Sequence, residues 1–209
     1  MNSKLISFEG IDGSGKSTQI KLLCKWLENK DIDYLVVREP GGTLISEQIR
    51  EILLNKKNSN ISMETEVFLF LSARAQLIHQ IISPALSSNK YVICDRFIHS
   101  TIAYQGHGRG LNLELLNQMN LMALNDTLLQ HTFLLDLDVE TSTLRRKGND
   151  SDRMESSGID FMNNVRKGYL ELSELYDDKI TLINAQYDKF DIFDSIKTKL
   201  CSIYGELND

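Results

Sequence analysis

Residues 8–18 read FEGIDGSGKST, and no other stretch restricts the fold of this chain as tightly. The run Leu5, Ile6, Ser7, Phe8 leading into it is short and apolar, the pattern of a buried strand. From Lys16 onward, Ile20, Leu22, Leu23, Trp26 and Leu27 recur at helical spacing. The order is therefore strand, glycine loop, helix, and Gly10-x-x-x-x-Gly15-Lys16-Ser17 fits the phosphate-binding loop in that context. Glycines lack Cβ, so backbone N–H groups can converge on phosphate oxygens, and the helix N-terminus adds donors and a positive dipole end. Lys16 can reach the β- and γ-phosphates, and the Ser17 hydroxyl can complete the coordination of Mg²⁺. The motif implies a nucleoside triphosphate without saying what is done with it.

Short apolar strands alternate with longer helical patterns along the whole chain. The spacing predicts strands at Leu5–Glu9, Tyr34–Arg38, Tyr91–Asp95, Thr132–Asp136 and Ile180–Asn184. It predicts helices at Lys16–Asn29, Ser46–Leu54, Met63–Ser83, Leu113–Asn125, Val139–Lys147, Ile159–Tyr176 and Phe190–Tyr204. Strands as apolar as YVICD and TFLLD need cover on both faces, which points to a parallel sheet in an α/β fold. Ligands in such sheets gather at the carboxyl ends of the strands. No repeat and no Pro- or Ser-rich linker occurs, so residues 1–209 are expected to form a single domain. The most polar stretch, RRKGNDSDRMESSG at 145–158, lies between two helical patterns with few apolar anchors and is expected to move as a lid.

Four further constellations sit at strand or helix ends. REPGGT at 38–43 is a tight turn or, from its place after a strand, a ligand-facing turn with Arg38 at an anion. Phe70 and Arg74 are four apart and share a helix face. Such a pair is usually core ring and solvated charge; the functional alternative is a ring to stack on a base beside a guanidinium that donates to it. CDRF at 94–97 ends a strand, where Asp95 can sit near a metal and Arg96 can meet a phosphate. Ser100, Thr101, Tyr104 and Gln105 follow on about one helical face, in a segment that otherwise reads as a capped short helix before a glycine loop. Arg145, Arg146, Lys147 and Arg153 bracket the polar stretch. They suit either a solvated loop or a basic lid over phosphates.

The balance of 23 basic and 29 acidic residues leaves a net charge of −6, which argues against a general nucleic-acid partner. Cys24, Cys94 and Cys201 are scattered without a CxxC, no apolar stretch is long enough to span a membrane, and no targeting peptide is expected. A cytoplasmic protein with reduced thiols is expected.

Taken together, FEGIDGSGKST, REPGGT, FLFLSARAQ, DRFIHSTIAYQGHGRG and SDRME, in that order between Leu5 and about Tyr176, resemble the thymidylate kinase family, whose members convert dTMP to dTDP with ATP. The resemblance implies a five-stranded parallel sheet, Mg²⁺ with ATP as phosphoryl donor, and a homodimer. It places Gly10, Ile11, Asp12, Gly13, Ser14, Gly15, Lys16, Ser17 and Thr18 on ATP. Ser17, Asp12 and Asp95 would lie at the metal, and Lys16, Asp12 and Arg96 at the reacting groups. Arg38, Arg50 and Arg96 would face the acceptor phosphate. Phe70 would stack on thymine, Arg74 would donate to its O4, Thr101 and Gln105 would meet its N3 edge, and Tyr104 would crowd the 2′ position. Some members carry an Arg where this chain has Gly13. The resemblance is to the bacterial branch, in which the lid supplies that charge, here Arg153 first, then Arg145 and Arg146. Two other readings fit a phosphate loop: a kinase for another nucleotide or nucleoside, and a GTP-dependent switch. The switch usually carries N-K-x-D, and neither NKDI at Asn29 nor NKKN at Asn55 fits.

Overall fold

The computed structural model describes residues 3–148 and 152–208. Five strands, β1 Leu5–Glu9, β2 Tyr34–Arg38, β3 Tyr91–Asp95, β4 His131–Asp136 and β5 Ile180–Asn184, form one parallel sheet in the order β2-β3-β1-β4-β5. The three central strands are buried over nearly their whole length, as their unbroken apolar runs require, whereas the edge strands β2 and β5 keep exposed positions. Phe8 packs against Phe133 across β1 and β4, and the two ring centroids are 5.4 Å apart.

The helices are α1 Lys16–Glu28, α2 Leu44–Leu54, α3 Met63–Leu77, α4 Ser83–Ser87, α5 Ile98–Thr101, α6 Leu113–Leu124, α7 Val139–Arg145, α8 Ile159–Leu175 and α9 Lys189–Ile203. Several start where the local sequence supplies a cap: Thr43, Asn112 and Asp138 accept from the backbone N–H of Ser46, Leu115 and Thr141. α1 differs, because Gly15 precedes it in a left-handed conformation with no side-chain cap.

Two segments depart from the sequence expectation. The helix expected over Met63–Ser83 is α3 and α4 joined by a wide π-helical segment, Ile78–Ile82. Pro84 lacks an N–H and its ring crowds the preceding turn, so a regular ladder cannot run through it. A second π-helical segment, Ile102–Gly108, continues from α5 where a glycine loop was expected. Its glycines serve packing. A Cβ on Gly108 would lie 2.6 Å from the Phe161 ring, and one on Gly168 of α8 would lie 2.6 Å from the His107 ring. This segment and α8 can approach so closely only because both carry glycine. The expected lid at 145–158 includes the end of α7 and a 3₁₀ turn, Glu155–Ser157; its residues 149–151 lie outside the described residues.

β1 connects across β3 to β2, while β4 and β5 lie on its other side, so the direction of winding reverses at β1. The crevice at the carboxyl end of β1 is where an open α/β sheet presents ligand-binding loops.

Candidate active site

An open cleft of about 390 Å³ occupies that crevice. The loop after β1 forms its floor. Gly10, Gly13 and Gly15 all have positive φ, and a Cβ on Gly10 would run into the Leu135 carbonyl. Lys16 folds back over the loop and donates from Nζ to the Gly10 and Ile11 carbonyls at 3.0 and 3.1 Å. Burial, then the nearby Arg96, brings its ammonium pKa down to about 8. Ser17 and Thr18 are exposed at the start of α1, and Ser17 Oγ lies 3.4 Å from Asp95 Oδ2. The Ser14 hydroxyl is buried in the loop with no partner among the described residues.

Arg96 follows β3 in a left-handed backbone conformation, φ 69°. Its guanidinium donates to Asp12 Oδ1 at 2.7 Å and to the Gly10 carbonyl at 2.9 Å, and it stacks over the Tyr104 ring. Burial alone would raise the Asp12 carboxyl; Arg96 and Lys16 outweigh it and hold Asp12 well below the usual carboxylate range. The loop that carries Arg96 is fixed from beneath by Glu9. This buried carboxylate accepts from the Phe97 and Ser100 backbone N–H groups, the Ser100 hydroxyl and the Tyr169 hydroxyl. Sequence reasoning passed over Glu9, because a charge at the end of an apolar strand gives no sign that four donors converge on it.

The other end of the cleft is lined by Arg38, Arg50, Phe70, Arg74, Thr101, Tyr104 and Gln105. Arg38 is exposed and pairs with Glu47 at 2.8 Å, and Arg50 donates to the Pro40 carbonyl. Arg74, the residue expected to donate to a base oxygen, is tied to several protein groups in this arrangement. It is buried, and each of its five N–H groups has a partner: two go to Glu39 and the others to Thr101, Asn120 and the Phe97 carbonyl. Arg74 also lines the cleft.

The lid arginines also differ from expectation. Arg153, the favoured residue, does not line the cleft. Its guanidinium is buried against Glu66 at 2.7 Å and donates from Nε to the Leu53 carbonyl. Arg145 lines the cleft and donates to the Ala185 carbonyl at 3.0 Å. Arg146 lies against the phosphate loop, 3.3 Å from where a Cβ on Gly13 would stand, and pairs with Glu155 at 3.0 Å. The cleft thus has a phosphate cradle with Lys16 on one side, and on the other a pocket where three arginines stand with the Phe70 and Tyr104 rings and the Gln105 amide, with Arg96 reaching from the loop to the Tyr104 ring.

The residues present suit a magnesium ion. Ser17 Oγ and Asp95 are neighbouring hard oxygen donors open to the cleft, and magnesium characteristically takes one or two such protein oxygens together with phosphates and water. Asp12 is committed to Arg96.

The sequence profile described as thymidylate kinase matches residues 8–196. The chain is 45% identical over 183 residues to the thymidylate kinase of Symbiobacterium thermophilum, covering 88% of this chain and 86% of that one. It is 42% identical to the thymidylate kinase of Maridesulfovibrio salexigens over 93% of this chain and 94% of that one. The crystal structure of thymidylate kinase from Ehrlichia chaffeensis superposes with a TM-score of 0.76 at 33% identity, over 96% of this chain and 99% of that chain.

Proposed function

This chain belongs to the thymidylate kinase family and phosphorylates dTMP to dTDP with ATP as donor, and we propose from the geometry of its cleft how its own residues carry out that transfer. The observation that carries the proposal is the lining of the cleft: the phosphate loop with Lys16 and the Phe70, Thr101 and Gln105 side chains share one crevice, with Arg96 beside the loop.

ATP is held by the loop from Gly10 to Thr18, with Lys16 exchanging its two carbonyl partners for phosphate oxygens. Magnesium, when bound with ATP at Ser17 and Asp95, offsets the charge of the phosphates. The acceptor phosphate of dTMP lies toward Arg96, Arg38 and Arg50, and the thymine ring stacks on Phe70 between Thr101 and Gln105. Tyr104, whose ring already supports Arg96, closes the sugar side. Arg74 shapes the wall behind Thr101. The acceptor oxygen is already anionic at neutral pH, so the protein need not remove a proton. Its contribution is alignment and neutralisation of two phosphates that repel each other. Arg146 and Arg145, at the loop, supply positive charge to the transferred group, and Arg153 anchors the segment behind them.

The chain acts as one kinase unit, with Arg145 and Arg146 at the end of α7 placed beside the phosphate loop. Two copies associate through α2, α3 and α6. These helices pack side by side and present Leu44, Phe68, Leu121 and Met122 to solvent, all more than half exposed. No described helix is long and apolar enough to cross a membrane, and the three free cysteines suit a reducing cytoplasm.

Mixing the protein with MgATP and dTMP tests the reading. ADP and dTDP should appear in equal amounts, with no ADP when dTMP is left out. ADP formation that ignores dTMP would favour the switch reading.

A further inference from the structure

Glu66 is nearly fully buried at the first turn of α3, outside the cleft, and nothing in the transfer described above uses it. Three side chains converge on its carboxylate. Arg153 donates at 2.7 Å, Arg109 donates from Nε and Nη2 at 3.2 Å, and Gln105 donates from Nε2 at 2.9 Å. Burial would raise this carboxyl, but hydrogen bonds from Arg109 and then Gln105 outweigh it and keep the group ionised.

An ionised carboxylate can only accept hydrogen bonds. The amide of Gln105 therefore has one orientation that works: its NH₂ group must face Glu66. Its Oε1 has no partner among the described residues, and Gln105 lines the cleft. We propose that Glu66 is a positioning residue for base recognition, fixing the Gln105 amide so that its oxygen, rather than its NH₂ group, is turned to the base edge in the cleft. This rests on the reading that Gln105 meets the N3 edge of the base. Thymine and uracil carry a hydrogen on N3 and satisfy that acceptor. Cytosine presents a bare N3 lone pair, and two acceptors facing each other in a buried pocket repel. Without the carboxylate, Gln105 can turn over and donate to cytosine.

The same carboxylate ties this reader to the later part of the 145–158 segment, from Arg153 to Ser157. Arg153 and Arg109, which clamp Glu66, also contact Met154, and Arg109 reaches Ser157 at 3.2 Å. The orientation of the amide is thus held by groups on three different parts of the chain.

The test measures kcat/KM for dTMP, dUMP and dCMP in the parent, Gln105→Leu, Glu66→Gln and Glu66→Asp proteins. Aspartate keeps the charge opposite both arginines but withdraws from Gln105, so it serves if the glutamine variant does not fold. Either Glu66 variant should lower the dTMP/dCMP ratio about tenfold and leave the dTMP/dUMP ratio within about twofold, since thymine and uracil share the N3 hydrogen. A purely structural role would lower all three substrates together. If Gln105→Leu leaves the dTMP/dCMP ratio unchanged, the base-reading role is itself wrong and the proposal falls with it. If Gln105→Leu lowers that ratio while the folded Glu66 variants keep the parent value, the base reading stands and the role of Glu66 is overturned. In the parent, the Gln105 side-chain amide hydrogens, assigned by their loss in Gln105→Leu, should exchange slowly by NMR; fast exchange would also contradict the proposal.

Discussion

Arg146 lies against Gly13: a Cβ on that glycine would stand 3.3 Å from Arg146 Cγ. A basic side chain from beyond α7 thus occupies the space beside the phosphate loop that a longer residue at position 13 would fill. The Nε of Arg146 is buried with no partner among the described residues, and its head is held by Glu155. Arg146→Ala should lower kcat by about 10²-fold or more while KM for ATP changes less than about threefold, the pattern of a contact made mainly in the transition state. Arg153→Ala should instead lower thermal stability, because Glu66 loses its shortest ion-pair contact. Steady-state kinetics on the two variants decides the assignment, and the opposite pattern would return the role to Arg153.

Lys16 sets the alkaline limit of the reaction. Its folded-state pKa is lowered to about 8 by burial and by Arg96. The charged form meets ATP in the free enzyme, so kcat/KM for ATP should be level near pH 7 and fall as pH rises through about 8, toward tenfold per pH unit. kcat should fall later, because bound phosphates favour the charged amine. Lys16→Ala should abolish dTMP-dependent ADP formation and leave the fold intact by circular dichroism. A flat kcat/KM profile to pH 9.5 would contradict the role given to this amine.

Arg74 and Glu39 form a buried pair at 2.6 Å, and burial raises the Glu39 carboxyl against the pull of Arg74. Removing one partner leaves an uncompensated buried charge. Arg74→Met should therefore cost about 3–5 kcal/mol in urea unfolding, and Glu39→Leu added to it should recover part of that loss. If Arg74→Met is as stable as the parent, the pair does not hold the wall of the base pocket.

The proposed dimer rests on apolar side chains spread over three adjacent helices. A Phe68→Glu, Met122→Glu double substitution places charge on that face without touching the cleft. Sedimentation should show a dimer for the parent and a monomer for the variant. A monomeric parent at micromolar concentration would remove the proposal.

What could be read from the sequence was what depends on neighbours along the chain. Four of the five strands match their expected bounds, and β4 begins one residue early, at His131. The phosphate loop was legible because its glycines, lysine and serine act within a few residues of each other. Residues whose roles are set by distant partners were not. Gly106 and Gly108 read as loop, yet they allow a helical segment to press against Leu113 and Phe161. Arg74 shares a face with Phe70, but its hydrogen bonds are claimed by Glu39, Thr101 and Asn120 from elsewhere in the chain. Glu66 reads as an acidic residue in the first turn of a helix, a common place for one. Only the fold brings Arg109, Arg153 and Gln105 onto it.

The central claim is that one cleft joins ATP to a thymine nucleotide, and the most direct measurement is kcat/KM for dTMP, dUMP, dCMP and UMP with saturating MgATP. The order expected is dTMP first, dCMP lower by at least about tenfold from the mismatched N3 edge, and UMP below dUMP because a 2′-hydroxyl meets the Tyr104 ring. Equal efficiency with dCMP and dTMP would contradict the base pocket, and ADP release indifferent to every nucleotide acceptor would contradict the account as a whole.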